Sequence, residues 1–179
     1  MSLFRTLQNS PATISIFHNA RVPALAKMFA QLEKAYYRSN DGKDLFQLDV
    51  AVKQMPTYDQ FKLIYSKCIH SDAYKQTLKQ VYPLLNDRVL VQDHKSVLFK
   101  SSGMHTDRGF KVFSHNEYER IREAFSELVN SSEPETDPSQ LFRAPLIVDW
   151  DQNLIACDED GLAAILIKYE LSDNALSTA

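Results

Sequence analysis

Two cysteines, Cys68 and Cys157, are the strongest nucleophiles that this sequence offers. The thiolate is the reactive form of cysteine, and a nearby cation lowers the pKa of a thiol. Lys67 and His70 flank Cys68, so Cys68 is the predicted catalytic residue of a monothiol reaction. The competing interpretation is a small buried hydrophobe, because Cys68 falls on the apolar face of its predicted helix. Cys157 is followed by three acidic residues, 158–160, which disfavour a thiolate there.

A second group of polar residues follows the first predicted strand, where the chain reads His18-Asn19-Ala20-Arg21. Free amides at the start of the next helix favour an anion at such a place. His18 and Arg21 are therefore predicted to bind an anionic substrate group, and the alternative is that they are ordinary loop residues. No C-x-x-C motif occurs, which excludes dithiol exchange. The five histidines show no ligand spacing, so the sequence predicts no metal site.

The hydrophobic pattern predicts the elements that must position these groups. Residues 13–17 and 46–52 alternate as strands, and the segment between them, from Pro23, has helical spacing. Two capping boxes, Thr57 with Gln60 and Ser114 with Glu117, each begin a helix. The remaining predictions are a helix over 72–82, a hairpin of 146–148 with 154–156, and a final helix through 162–169. A strand, helix and strand in this order favour a parallel pair.

The stretch Phe142-Arg143-Ala144-Pro145 leads into an apolar strand that begins at Leu146. The element order β-α-β, then helices, then β-β-α is that of a thioredoxin-like α/β fold, with a central mixed sheet of about four strands. In that fold a proline directly before the third core strand is cis and borders the place where substrates bind. We therefore predict a cis bond before Pro145, and Pro145 and Arg143 as substrate-binding residues. The alternative is a trans proline that merely starts a strand.

The length of 179 residues suits one domain, predicted to span 13–171. Within it, 84–113 is interpreted as an insertion, which includes a small hairpin of 89–91 with 97–99, and 130–140 as a mobile linker. Residues 172–179 are interpreted as a frayed tail. Residues 1–12 are basic, rich in hydroxyl groups and free of acids, which is typical of a mitochondrial import segment, and the alternative is an ordinary basic N-terminus.

The net charge of −3 argues against nucleic-acid binding, and no apolar run is long enough for a membrane span. A monomer is expected.

Three stretches then resemble one family. They are "TLQNSPATISIFHN", "MPTYDQFK" and "RAPLIVDWDQNLIACDEDGLAAIL". Together they resemble a family of fungal mitochondrial redox proteins, which has a thioredoxin-like fold and is distantly similar to arsenate reductases. The resemblance implies an oxidoreductase that reduces small toxic molecules. The helix over 118–129 lacks the further cysteine that some relatives carry.

Two functions follow from these observations. The first is a mitochondrial monothiol oxidoreductase, with Cys68 as nucleophile and a small-molecule or thiol substrate. It needs no bound cofactor, and glutathione or thioredoxin would supply the electrons. The second is a thioredoxin-like module without catalysis, which binds a peptide or partner in the groove beside Pro145 where a substrate would bind. Exposure and pKa of the Cys68 thiol discriminate between them.

Overall fold

The computed structural model describes residues 11–18, 24–39, 46–86, 104–106, 109–131 and 137–176. Its first unit is strand β1 (Ala12–His18), helix α1 (Ala24–Ser39) and strand β2 (Phe46–Val52). The two strands are parallel and in register from Ala12 opposite Phe46 to His18 opposite Val52. This confirms the predicted strand–helix–strand unit, because alternating apolar residues on both strands pack beneath the helix between them.

The middle of the chain is helical, and both predicted capping boxes are present. Helix α2 (Tyr58–Leu63) begins at Thr57, whose side chain accepts from the Gln60 N–H. It continues directly into a π-helical turn, Ile64–Cys68, which the sequence did not predict. Helix α3 (Asp72–Val81) and a 3₁₀ turn (Pro83–Leu85) follow. Helix α4 (His115–Asn130) begins at Ser114 with the second box.

The C-terminal part is strand β5 (Leu146–Asp149), strand β6 (Leu154–Ala156) and helix α5 (Glu159–Leu176). Strand β5 is antiparallel to both β1 and β6, so the sheet is mixed and its strand order is β2-β1-β5-β6. The expected four-stranded mixed sheet flanked by helices is therefore confirmed. Helix α5 extends beyond residue 172, where the sequence predicted fraying.

The hairpin between β5 and β6 is fixed by one buried carboxylate. Asp149 is fully buried, and its Oδ1 accepts from the N–H groups of Asp151 and Gln152 at 3.1 and 2.9 Å. Its Oδ2 accepts from the Tyr169 hydroxyl at 2.6 Å, which joins α5 to the turn. Three donors thus offset the cost of burying this polar group.

Two apolar clusters lie on opposite faces of the sheet. Beneath α1 and α5, the cluster includes Ile14, Ile16, Met28, Leu32, Phe46, Ile147, Leu162, Ile165 and Tyr169. On the other face, α2, α3 and α4 contribute a larger, aromatic cluster, which includes Phe17, Phe61, Cys68, Tyr82, Phe113, Tyr118, Phe125, Phe142, Leu146 and Val148. Each large side chain buried in this way contributes about 1.5–3 kcal/mol. Of the helices in the described residues, none is long and apolar enough to cross a membrane.

The segment between α3 and β5 differs most from the sequence predictions. The hairpin predicted from 89–91 and 97–99 lies outside the described residues. A two-stranded antiparallel ribbon, β3 (Met104–His105) with β4 (Lys111–Val112), occupies part of the region 84–113 interpreted as an insertion. Of the predicted mobile linker, the described residues after Asp137 form a 3₁₀ turn, Pro138–Gln140, whose Pro138 is buried. Pro138 thus packs against the rest of the protein, and the mobility of the linker as a whole stays a prediction.

Candidate functional site

Strand register brings two of the predicted site residues, His18 and Pro145, to one end of the sheet together with Cys157. Phe17 lies opposite Leu146, and Ile147 lies opposite Ala156. The strands therefore continue at the same end of the sheet, where His18 follows Phe17, Pro145 precedes Leu146 and Cys157 follows Ala156. The Ala144–Pro145 bond is cis, as predicted. This sheet end is the first candidate site.

The backbone and the ring of His18 both make contacts within the described residues. Its carbonyl accepts from the Lys53 N–H at 2.7 Å, and its ring lies 6.2 Å from that of Phe29. The Nδ1 atom is buried and has no hydrogen-bond partner among the described residues. Burial lowers the pKa of His18, which favours the neutral form of the ring. A neutral ring attracts an anion weakly, and Arg21, its predicted partner, lies outside the described residues.

Arg143 and Pro145 are less available than the sequence predicted. Pro145 is buried, and Ala144 is also buried. The backbone N–H of Arg143 donates to the Val81 carbonyl at 2.8 Å, at the end of α3. The predicted substrate-pairing edge at Arg143 is thus already used by the protein itself. Hydrogen bonds from Ser139 lower the pKa of the Asp137 carboxyl, and the exposed Arg143 guanidinium adds to this effect. The same guanidinium opposes part of the rise in the pKa of the Cys157 thiol.

Cys68 does not have the environment of a nucleophile. It ends the π-helical turn, its exposed fraction is 1%, and it packs in the aromatic cluster. Burial, and secondarily the charge of Asp149, raise the pKa of the Cys68 thiol to about 12. Lys67 and His70 are exposed and do not offset this effect. The environment therefore disfavours a reactive thiolate at Cys68, because the helix turns the sulfur into the core and the two cations towards water.

Cys157 is the more accessible thiol, although Cys68 was the predicted nucleophile. It is partly exposed, and its Sγ donates to the Gln80 Oε1 at 3.3 Å. Burial and the charge of Asp158 raise the pKa of Cys157 to about 11, while Arg143 opposes the shift. The Asp158 side chain caps α5, since its Oδ1 accepts from the Gly161 N–H at 2.8 Å. The sequence did contain a signal for Cys157. Because Cys157 follows the second strand of the predicted hairpin and Pro145 precedes the first, the two residues are expected at the same end of the hairpin.

The sheet separates the two polar groups of this end. His18 contacts Phe29 on the α1 face, whereas Cys157 packs against the aromatic cluster on the opposite face. A histidine on one side of a sheet cannot act as a base for a thiol on the other. Among the described residues, no group of three or more His, Cys, Asp or Glu side chains that could hold a metal ion is present.

A polar network that sequence reasoning missed crosses the sheet towards strand β2. The Trp150 Nε1–H donates to the Ser15 hydroxyl at 2.8 Å, and that hydroxyl donates to the Asp49 Oδ2 at 3.0 Å. Ser15 is buried, but Asp49 is exposed on the edge strand. A serine in an otherwise apolar strand was the available signal, because a buried hydroxyl requires partners.

A separate concavity lies at the start of α3, away from the sheet end. Its volume is about 540 Å³, and its lining consists of Ile69, His70, Ser71, Asp72 and Lys75. The Lys75 Nζ donates to the Asp72 Oδ1 at 2.8 Å, so the basic and acidic groups of this concavity compensate each other.

Comparison with known proteins gives one result. No curated protein and no solved structure matches the chain. A model of the family described as "Protein of unknown function (DUF1687)" matches residues 4–158. This match covers most of the sequence, including both strands of the parallel unit, helices α1 to α4 and the hairpin strands. The chain therefore belongs to the DUF1687 family.

Proposed function

We propose that this chain is a thioredoxin-like module that acts by binding a partner and not by thiol exchange. The strand order β2-β1-β5-β6, with a parallel β1–β2 pair and an antiparallel hairpin, supports the thioredoxin-like assignment. One observation carries the proposed function: Cys68 is buried in the core and Cys157 is only partly exposed. Burial raises the pKa of Cys68 to about 12 and that of Cys157 to about 11, so neither supplies a thiolate near neutral pH.

The test is the reactivity of each thiol measured separately. Single-cysteine proteins, Cys157→Ser for Cys68 and Cys68→Ala for Cys157, are alkylated with iodoacetamide between about pH 6 and 10, with free glutathione as reference thiol. We expect the Cys68 protein to react only when it unfolds. The Cys157 protein should react more slowly than glutathione at every pH, because its thiol ionises at higher pH. Reaction of either native protein at neutral pH faster than glutathione would refute the proposal.

A second function is favoured by the partial exposure of Cys157 beside Arg143. In this mechanism the Cys157 thiolate attacks a disulfide substrate, and one substrate thiol leaves with a proton. Two molecules of glutathione then reduce the mixed disulfide, which returns the Cys157 thiol and releases the second substrate thiol with oxidised glutathione. Glutathione-dependent reduction of bis(2-hydroxyethyl) disulfide that is lost in Cys157→Ser and kept in Cys68→Ala would establish this function in place of the first.

The proposed location is the mitochondrion, and it depends on residues 1–12, which lie almost entirely outside the described residues. The basic, acid-free composition of that segment supports it. A C-terminally tagged chain should fractionate with mitochondria, and Arg5→Glu should reduce import because the segment would gain an acid. Cytosolic recovery of the unaltered tagged chain would contradict the proposal.

A further inference from the structure

Strand β2 ends the sheet on one side, and within the described residues only β1 pairs with it. The Lys53 N–H donates to the His18 carbonyl at 2.7 Å, so Lys53 directs its backbone towards β1. Backbone groups alternate sides along a strand. Ala51 and Asp49 therefore also face β1, while the N–H and C=O groups of Leu48, Val50 and Val52 point outwards. An open strand edge of this kind is a template for pairing with another extended chain.

Side chains on this strand differ between its two faces. Val50 and Val52 lie on the α1 face and have exposed fractions of 38% and 46%. Asp49 points to the opposite face and is also exposed. One Asp49 oxygen accepts from Ser15, which fixes the direction of the carboxylate. The open edge thus presents an apolar strip on one face and a single oriented negative charge on the other.

We propose that the open edge of β2, residues 48–52, binds an extended basic segment of a partner protein as an added strand. The partner segment carries apolar side chains opposite Leu48, Val50 and Val52, and a lysine or arginine opposite Asp49. Backbone hydrogen bonds would supply affinity, and the alternating side chains would supply selectivity. This inference rests on the proposed binding function and names the class of ligand.

Charge complementarity selects this partner over a second copy of the same chain. In an antiparallel pair of two β2 strands centred on the seven-residue strand, Asp49 would face Asp49 of the copy. Like charges directly opposite each other destabilise a strand pair, whereas opposite charges stabilise it. Lys53 has a φ of +56°, which turns the backbone away after Val52 and sets the C-terminal limit of the edge.

The experiment uses the full chain and fluorescein-labelled peptides, and measures binding by fluorescence anisotropy. The probe contains the core Val-Thr-Val-Lys-Val, written in the antiparallel direction, so that its lysine faces Asp49. A matched peptide has glutamate in place of lysine, and a third is N-methylated at alternate amides. We expect saturable binding of the lysine peptide, about three- to tenfold tighter than the glutamate peptide, and no binding of the N-methylated one.

Three variants of the protein locate the contact. Asp49→Asn keeps an acceptor for the Ser15 hydroxyl but removes the charge, and it should bring the two unmethylated peptides to nearly equal affinity. Val50→Pro removes an outward N–H and should abolish binding, while Val50→Thr keeps that N–H and should bind. Circular dichroism and the fluorescence of Trp150 verify that each variant is folded.

The proposal is overturned if the lysine peptide does not bind saturably up to millimolar concentration, or if N-methylation has no effect. It is also overturned if the preference for lysine persists in Asp49→Asn. Sedimentation that shows a dimer dissociated by Val50→Pro would assign the edge to a second copy instead. Each of these results is independent of thiol reactivity, so failure here is distinguishable from failure of the proposed function.

Discussion

The two edge strands of the sheet differ in how far other elements cover them. Strand β6 lies beneath α3 and the π-helical turn, and the residue that follows it, Cys157, bonds to Gln80 of α3. Strand β2 contacts only β1 and α1 closely in the described residues, and Val50 and Val52 remain exposed beyond the helix. On the covered side, where β6 lies, burial raises the pKa of the two thiols and the phenols are buried. Strand β2, in contrast, has outward-facing backbone groups and a charged side chain. Binding capacity is therefore expected at the edge that the helices leave open.

The covered side is organised by an aromatic centre. Phe61 is fully buried, and its ring stacks on that of Tyr118 at 4.6 Å. The Tyr118 hydroxyl donates to the Pro56 carbonyl at 2.8 Å and lies 3.1 Å from the Tyr82 hydroxyl. This chain of contacts joins α2, α3 and α4 to the segment that follows β2, so the covered region is expected to unfold as one unit.

The largest difference between the two regions should appear when side chains are truncated. Phe61→Ala should lower the free energy of unfolding by about 3–5 kcal/mol, because it leaves a cavity at the aromatic centre. Val50→Ala, the matched change on the open edge, should cost less than about 1 kcal/mol. Urea denaturation followed by circular dichroism measures both values. Equal costs would mean that Val50 is covered in solution.

Proline substitution on β2 tests which backbone groups face β1. Ala51→Pro removes an N–H that faces β1, and it should destabilise the protein by about 2–3 kcal/mol more than Val50→Pro, whose N–H faces outwards. The measurement is again urea denaturation of the two variants beside the unaltered protein. A larger cost for Val50→Pro would reverse the assigned direction of the open edge.

Removal of one phenol should have an intermediate effect. Tyr118→Phe deletes the donor to the Pro56 carbonyl and the partner of the Tyr82 hydroxyl, and we expect a loss of about 1–3 kcal/mol. Tyr37→Phe, at a position with an exposed fraction of 73%, is the control and should leave stability unchanged. Thermal denaturation of both variants provides the comparison, and an unchanged midpoint for Tyr118→Phe would contradict the role of this network.

A change of pH should have the smallest effect on the free energy of unfolding near neutral pH. Burial raises the pKa of Cys68 to about 12 and raises the pKa of Tyr82 and Tyr118 above the ordinary value. The unfolded chain loses these protons at lower pH than the folded chain does. Their stabilising contribution is therefore fully present below the ordinary thiol pKa of about 8.5 and declines as pH rises towards 12.

Urea denaturation at intervals between about pH 7 and 11 measures this decline, with a slope of up to about 1.4 kcal/mol per pH unit for each group. Cys68→Ala should make the slope shallower, whereas a substitution on the exposed edge, Val52→Thr, should leave it unchanged. A free energy of unfolding that stays constant to pH 11 would show that these groups are accessible in the native state.

Local sequence patterns predicted most elements because their causes are local. Alternation along β1 and β2, the two capping boxes and the turn after Asp149 each depend on residues within a few positions of one another. The same reasoning left the state of Cys68 open. Helical spacing placed it on an apolar face, but the flanking cations suggested a reactive thiol, and only packing decides between these effects.

Sequence alone thus determined the order of the elements, the parallel unit, the hairpin and the residue types available for chemistry. The tertiary structure decided which of those residues are accessible. It buried Cys68, placed His18 and Cys157 on opposite faces and used the Arg143 N–H for α3. Among the residues that the structure describes, it left the outer edge of β2 without a neighbouring strand. The physical reason is that burial, pKa and free strand edges depend on contacts between distant segments, which local spacing does not specify.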